Sequence, residues 1–261
     1  MQVENYLKKY QPVIYQTFQK ALQERRLSHA YLLVGNPGTP LLETAKYLAK
    51  SLICDDPSPF ACNNCITCLR VDDDNYPDFI VFDGSKESIK KGAVATIEGQ
   101  FEKTAFETKG IKIYILHLVE NMTEEAINAI LKFLEEPKDN VYAFLTTNNE
   151  NSVLQTIISR CQTMHLKLID RKQVINEAID LGIGQSNAEL LSYFYNNSEL
   201  IYDVMNNDEE NKTFLLCKQA LDQLLLALSS SSSALILVEP KEYSLKMMNI
   251  IIMLKRSKYY Y

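Results

Sequence analysis

Apolar positions along the first two thirds of the chain alternate between two kinds of run. Short, nearly continuous stretches occur at Tyr31 to Val34, Phe79 to Phe82, Ile111 to Val119 and Val141 to Thr146. They are rich in β-formers and too short to cross a membrane, which is the pattern of strands buried on both faces of a parallel sheet. Between them apolar residues recur at helical spacing: Leu42, Ala45, Leu48, Ala49 and Leu52 within Leu41 to Ile53, and Ile127, Ile130, Leu131 and Leu134 before Pro137. Thr123 is placed to cap that second helix, with Glu124 and Glu125 in its first turn. A further helix is expected over SIKKGAVATIEGQFEKTAF (residues 88–106), weakened by Gly92 and Gly99, and a short one over SVLQTIISRC (residues 152–161). Val13, Phe18, Ala21 and Leu22 predict a helix ahead of the first strand. Strand alternating with helix gives an α/β fold with a parallel sheet covered on both faces.

After about Leu168 strand patterns cease. Three regions are expected: an α/β domain at 1–168, a small helical module at 169–206, and a region at 207–261 that opens with the helix FLLCKQALDQLLLAL and runs into five serines, Ser229 to Ser233, read as a loop. No internal repeat is present. At 261 residues, with 46% hydrophobic and 23% charged content, the chain is ordinary for a globular protein. A net charge of -6 argues against a surface that tracks DNA throughout. The N-terminus, MQVENYLKKYQPV, is polar where a secretory signal is apolar, so a cytoplasmic location without membrane contact is expected.

The turn after the first strand carries the first chemical question. Gly35, Asn36, Pro37 and Gly38 open like a phosphate-binding loop. Such a loop needs G-x-x-x-x-G-K-[ST], with a lysine for the β and γ charge and a hydroxyl for magnesium. In that register Pro40, Leu41 and Leu42 occupy the three functional places. Proline removes an N–H donor, and two leucines offer neither charge nor metal ligand. The strand that should end in paired carboxylates ends His117, Leu118, Val119, Glu120, and Glu120 lies too far along to replace them. His117 reads as a polar strand end rather than a proton shuttle. Neither ATP–magnesium binding nor hydrolysis by this chain is expected.

Four of six cysteines crowd together as C-x7-C-x2-C-x2-C: Cys54, Cys62, Cys65 and Cys68. Four soft ligands on a turn-rich segment suit a closed, structural tetrahedral zinc; the alternative is a redox pair of Cys65 and Cys68, which needs no further cysteines. Cys161 and Cys217 stand outside the motif and are expected to be buried. Glu135 and Glu136 could be taken for an acid–base pair, but helix neighbours point about 100° apart, so a solvated helix end is the better reading.

LSHAYLLVGNPG, YPDFIVF, NAILKFLEEP and TIISRC, in this order and at these separations, resemble the delta-prime family of bacterial DNA polymerase III clamp-loader subunits, AAA+ proteins related to the gamma/tau ATPase subunit. The resemblance covers roughly residues 1–206. It implies an AAA+ domain with a zinc module at 54–68, a helical lid at 169–206, and a helical collar for which only 207–261 remain, so a reduced or truncated collar is expected. It implies a phosphate loop that does not work, a polar sensor position at Thr146, Thr147 and Asn148 that is vestigial or interface-forming, and an arginine finger. That finger is Arg160, reaching in trans to the γ-phosphate of a neighbouring subunit; from the tripeptide alone, Arg160 reads as an interface salt bridge or a helix-end arginine. The implied partners are gamma/tau and delta subunits, with the sliding clamp and primed DNA reached through the complex, a DNA-directed DNA polymerase assembly. Two other classes compete: a weak NTPase with an unorthodox loop, opposed by Leu41 and the missing carboxylates, and a zinc-containing nucleic-acid-binding module, opposed by the acidic charge and the lack of a basic–aromatic stripe.

Overall fold

The structure, a computed structural model, describes residues 3–101, 105–195 and 197–229. Part of the serine run, most of the expected collar, and residues 102–104 of the expected helix lie outside the described residues. Among the described residues, those up to Leu168 form one compact unit and those from Ile169 to Ser229 a second.

Five parallel strands build the first unit: β1 (Ala30–Val34), β2 (Phe79–Asp83), β3 (Lys112–His117), β4 (Val141–Thr147) and β5 (Gln162–His165), in the spatial order β2-β3-β4-β1-β5. Every residue of β3 is buried and nearly every one of β4 and β1, as continuous apolar runs require when helices cover both faces. On one face Tyr31 of β1 stacks on Phe144 of β4 at 5.2 Å, and Phe18 meets Tyr31 at 5.3 Å. On the other, Leu32, Tyr114, Leu116 and Leu145 pack with Val94, Ile97, Ala126, Ile130 and Leu134.

The helices of this unit are α1 (Val3–Tyr10), α2 (Pro12–Gln23), α3 (Leu41–Ile53), α4 (Ile66–Asp72), α5 (Lys91–Phe101), α6 (Glu124–Glu135) and α7 (Gln155–Ile158). The single helix expected before β1 is two, because Pro12 has no N–H to continue α1 and instead opens α2. Thr123 caps α6 as expected, its side chain accepting from Ala126 N–H at 3.3 Å. The buried stripes differ from expectation. On α3, Leu41 and Ile53 are buried while Leu42 and Leu52 are only half-buried; on α6, Ala126 joins Ile130 and Leu134 while Ile127 and Leu131 are half-buried. Val13 is exposed and Ile14 takes its place in the core.

β5 and α4 have no counterpart in the sequence pattern. Of β5 only Met164 is buried, so no apolar run announces it. Leu166 N–H donates to Val34 O at 2.7 Å, which turns the Lys167 backbone away from β1. There the Gln11 side chain meets it twice, Nε2 donating to Lys167 O and Oε1 accepting from Lys167 N–H, both at 2.8 Å. A buried carboxamide thus acts as a one-residue strand at the sheet edge.

The second unit contains α8 (Arg171–Asp180), α9 (Gln185–Leu191), α10 (Ser198–Asn206) and α11 (Asp208–Ser229). Val174, Ala178, Ala188, Leu191, Ile201 and Val204 are among its buried apolar residues, and Asp170 and Asn197 cap α8 and α10.

Two glycines are expected to respond oppositely to alanine. A Cβ on Gly84 would lie 2.6 Å from His117 O and 2.8 Å from Leu118 O, backbone atoms that cannot turn aside, so Gly84→Ala should destabilise by about 1–3 kcal/mol. Gly99, inside α5 with open space around it, should stabilise by roughly 0.5–1 kcal/mol when changed to alanine. Urea unfolding of the two variants checks both signs.

Candidate functional site

The turn from β1 into α3 is closed by its own side chains. Gly35 N–H donates to Thr147 O at 3.1 Å, Thr39 N–H to Asn36 O at 3.0 Å, and Leu41 N–H to Thr39 O at 2.8 Å. The Thr39 and Leu41 donors are therefore spent inside the loop, that of Gly35 on β4, and Pro40 has none. The space over Gly35 is filled by Thr39 Cγ2, 3.0 Å from where a Cβ would stand, and Leu41 Cδ2 at 3.1 Å. Leu41, at the lysine's place, is only 2% exposed; Leu42 is half-buried. Gly38 holds φ at 90°, a left-handed conformation that glycine adopts without strain.

Glu43, in the first turn of α3, is the site residue that sequence reasoning missed. Its Oε2 is buried without a hydrogen-bond partner, as are the hydroxyls of Thr39 and Thr44 beside it. Burial pushes its pKa up to about 7, with nearby Asp83 adding to the rise and Lys46 opposing it. A carboxyl in the first turn normally gains from the helix dipole, so nothing in the local pattern marks it.

The ends of β3 and β4 are tied together where hydrolytic carboxylates would stand. His117 is buried, its Nδ1 2.7 Å from Thr146 Oγ1, which also accepts from Leu118 N–H at 3.0 Å. Glu120 Oε1 accepts from Asn148 N–H at 2.9 Å, while its Oε2 is buried without a partner. Thr146 and Thr147 are fully buried.

Arg160 follows α7. Its Nη1 donates to Thr156 O at 2.7 Å and its Nη2 to Glu135 Oε1, at the end of α6, at 2.8 Å. Its bonds do not join it to the loop of its own chain. Glu135 and Glu136 are both exposed, as a solvated helix end requires, with Glu135 carrying the ion pair to Arg160. Cys161, between α7 and β5, and Cys217, within α11, are half-buried rather than buried; burial nonetheless pushes the Cys161 thiol up to about 12.

The four clustered cysteines are brought together. Cys54 caps the end of α3, Cys65 caps the start of α4 and Cys68 lies within it. All four sulfurs lie within 4.8 Å of one another, with Cys54 Sγ 3.5 Å from Cys62 Sγ and 3.8 Å from Cys65 Sγ. A tetrahedron with bonds of about 2.3 Å has sulfurs about 3.8 Å apart, so the set could hold a metal ion and is compatible with zinc. Cys62 N–H, Cys65 N–H and Cys68 N–H each point at a cluster sulfur, at 3.3–3.4 Å. Backbone donors from Asn64 and Cys65 pull Cys62 down to about 7, while burial pushes Cys54 and Cys68 up. The loop is seated by Phe60, stacked on Tyr15 at 4.6 Å and Tyr47 at 5.8 Å, and by Lys50 gripping Asp72 at 2.7 and 2.8 Å.

Residues 10–170 match the family profile described as DNA polymerase III, delta subunit. The chain belongs to that family. Over 199 residues it is 35% identical to DNA polymerase III subunit delta' of Bacillus subtilis, an alignment covering 76% of this chain and 60% of that protein. It is 32% identical over 173 residues to subunit tau of the same organism, covering 64% of this chain and 30% of tau. The chain therefore spans less than two thirds of the length of either curated relative. A DNA polymerase III gamma subunit-related protein from Thermotoga maritima shares the fold, with a TM-score of 0.56 at 20% identity, covering 90% of this chain and 76% of that one. The parallel five-stranded sheet of this DNA polymerase III family member is the AAA+ fold of clamp-loader-like proteins. No helix among the described residues is long and apolar enough to cross a membrane.

Two outcomes are expected of the site. Because the folded pKa of Glu43 lies above that of the unfolded chain, its contribution to stability is present below about 4.5 and lost as pH rises to about 7. Glu43→Gln should then stabilise by roughly 2 kcal/mol at pH 8 and little at pH 5; equal effects in urea unfolding at both pH values would contradict the burial account. The purified chain should also carry one thiophilic divalent ion. Its removal by a chelator, or Cys68→Ser, should lower the melting temperature by several degrees, measured by calorimetry with metal analysis.

Proposed function

We propose that this chain is a non-hydrolysing AAA+ subunit of a bacterial clamp loader. In this reading it packs beside an ATPase subunit of the tau/gamma type, together with a delta subunit, in the cytoplasm. It offers Arg160 across the interface and helps the assembly place a sliding clamp on primed DNA. The carrying observation is the closed phosphate loop. Leu41 is folded into the core at the place of the lysine, and the loop's amide donors at Thr39 and Leu41 are bonded to its own carbonyls. A fold that has given up its own phosphate site can still serve a neighbour's. A guanidinium supplied in trans stabilises the charge spread over the transferring phosphoryl oxygens.

The four cysteines support a structural zinc in the same reading. A closed four-sulfur shell leaves no coordination position for water, so the ion would order residues 54–68 and take no part in chemistry. The competing reading of Arg160 is a helix-end arginine, favoured by its bond to Thr156 O and its pair with Glu135.

Reconstitution separates the two. The clamp- and primed-DNA-stimulated ATPase of a loader containing tau/gamma-type and delta subunits is compared for this chain and Arg160→Ala, with assembly confirmed by co-elution. The variant is expected to lose about 10³-fold at the site it faces, and the chain alone to show no ATPase. Unchanged stimulated ATPase would leave Arg160 a helix-end residue, and ATPase from the chain alone would overturn the closed-loop reading.

A further inference from the structure

The guanidinium of Arg160 is already held in this chain before any neighbour is present. Nη2 donates to Glu135 Oε1 at 2.8 Å and Nη1 to Thr156 O at 2.7 Å, with a longer contact from Nη1 to Ser159 Oγ at 3.4 Å. Glu135 ends α6 and Thr156 lies in α7, so two elements fix one side chain. The pair with Glu135 runs through one oxygen and one nitrogen, not through the two-pronged fork that would cover a whole guanidinium edge. Five N–H groups are available on an arginine, and those not used in these three contacts make no hydrogen bond among the described residues.

We propose that Glu135 is a positioning residue for Arg160: it holds the guanidinium plane at the end of α7 so that the open donors meet the neighbour's phosphoryl group without a search through rotamers. This rests on the reading of Arg160 as a finger. A free arginine carries large side-chain entropy, and a catalytic donor displaced by about 1 Å can cost about 10²-fold in rate, so pre-alignment has a direct kinetic value. The pair itself is half-exposed, with side chains 31% and 50% accessible, and pairs of that kind contribute little to folding. Glu135 should therefore act on the reaction and not on the melting temperature. The adjacent Glu136 is also exposed and serves as the control, having no ion pair among the described residues.

The test is a double-mutant cycle in the reconstituted loader, reading kcat and KM for ATP. Glu135→Ala is expected to lower kcat about five-fold, the scale an exposed pair can supply, with KM and melting temperature unchanged. Glu135→Gln, which keeps an acceptor oxygen, should recover part of the rate, and Glu136→Ala should match wild type. In the Arg160→Ala background Glu135→Ala should cost nothing more. An unchanged or raised kcat for Glu135→Ala, or an equal loss in the Arg160→Ala background, would overturn the assignment while leaving the finger intact. A wild-type rate for Arg160→Ala would remove the finger, and Glu135's role with it.

Discussion

A sheet buried on both faces has only its edges and strand ends through which to act. β1, β3 and β4 expose almost nothing along their length, so their backbone groups must pair laterally and their chemistry must lie where the chain turns. All five strands run parallel, which puts those turns along the carboxyl edge. In this chain the carboxyl edge is packed. Thr39 and Leu41 close over Gly35, Thr146 links His117 to Leu118, and Glu120 receives Asn148. The side chains standing at the places of a phosphate loop's lysine and carboxylates serve the packing of this edge. At the lateral edge Gln11 supplies both halves of a strand partner to Lys167, so the sheet ends there without an added strand.

How much of this was legible follows from how local each cause is. β1 to β4 announce themselves because each is a continuous apolar run, and Thr123 and Pro137 punctuate α6 by side-chain chemistry alone. The cysteine spacing fixes a four-sulfur set before any fold is known. β5 is invisible because a single side chain, Met164, is buried in it, and its identity as a strand comes from pairing with β1. α4 hides inside the cysteine loop, where a thiol takes the capping place usually held by a hydroxyl or a carboxylate. The stripe on α3 is displaced towards Leu41 because the loop before it turns that residue inward. Gln11 and Lys167, 156 residues apart, and Arg160 and Glu135, 25 apart, meet only in three dimensions. Glu43 looks like an ordinary first-turn carboxylate until its burial is seen.

Membership in the DNA polymerase III delta family rests on residues 10–170, nearly the whole of the first unit. Within that span the loop and the strand ends lack the lysine and the paired carboxylates of a phosphate site, whereas Arg160 and the four clustered cysteines are present. The two groups are separable because they sit on different parts of the unit: the loop opens α3, the cysteines follow its far end, and the arginine follows α7.

α3 is therefore secured at both ends, by Leu41 within the core and by the cysteine loop at the other. Ser51 Oγ accepts from Ala61 N–H at 2.9 Å, Lys50 holds Asp72, and Phe60 stacks against Tyr47. Anchored this way, α3 is a beam fixed into two walls: neither end can shift without breaking buried packing or hydrogen bonds that hold the other elements in place.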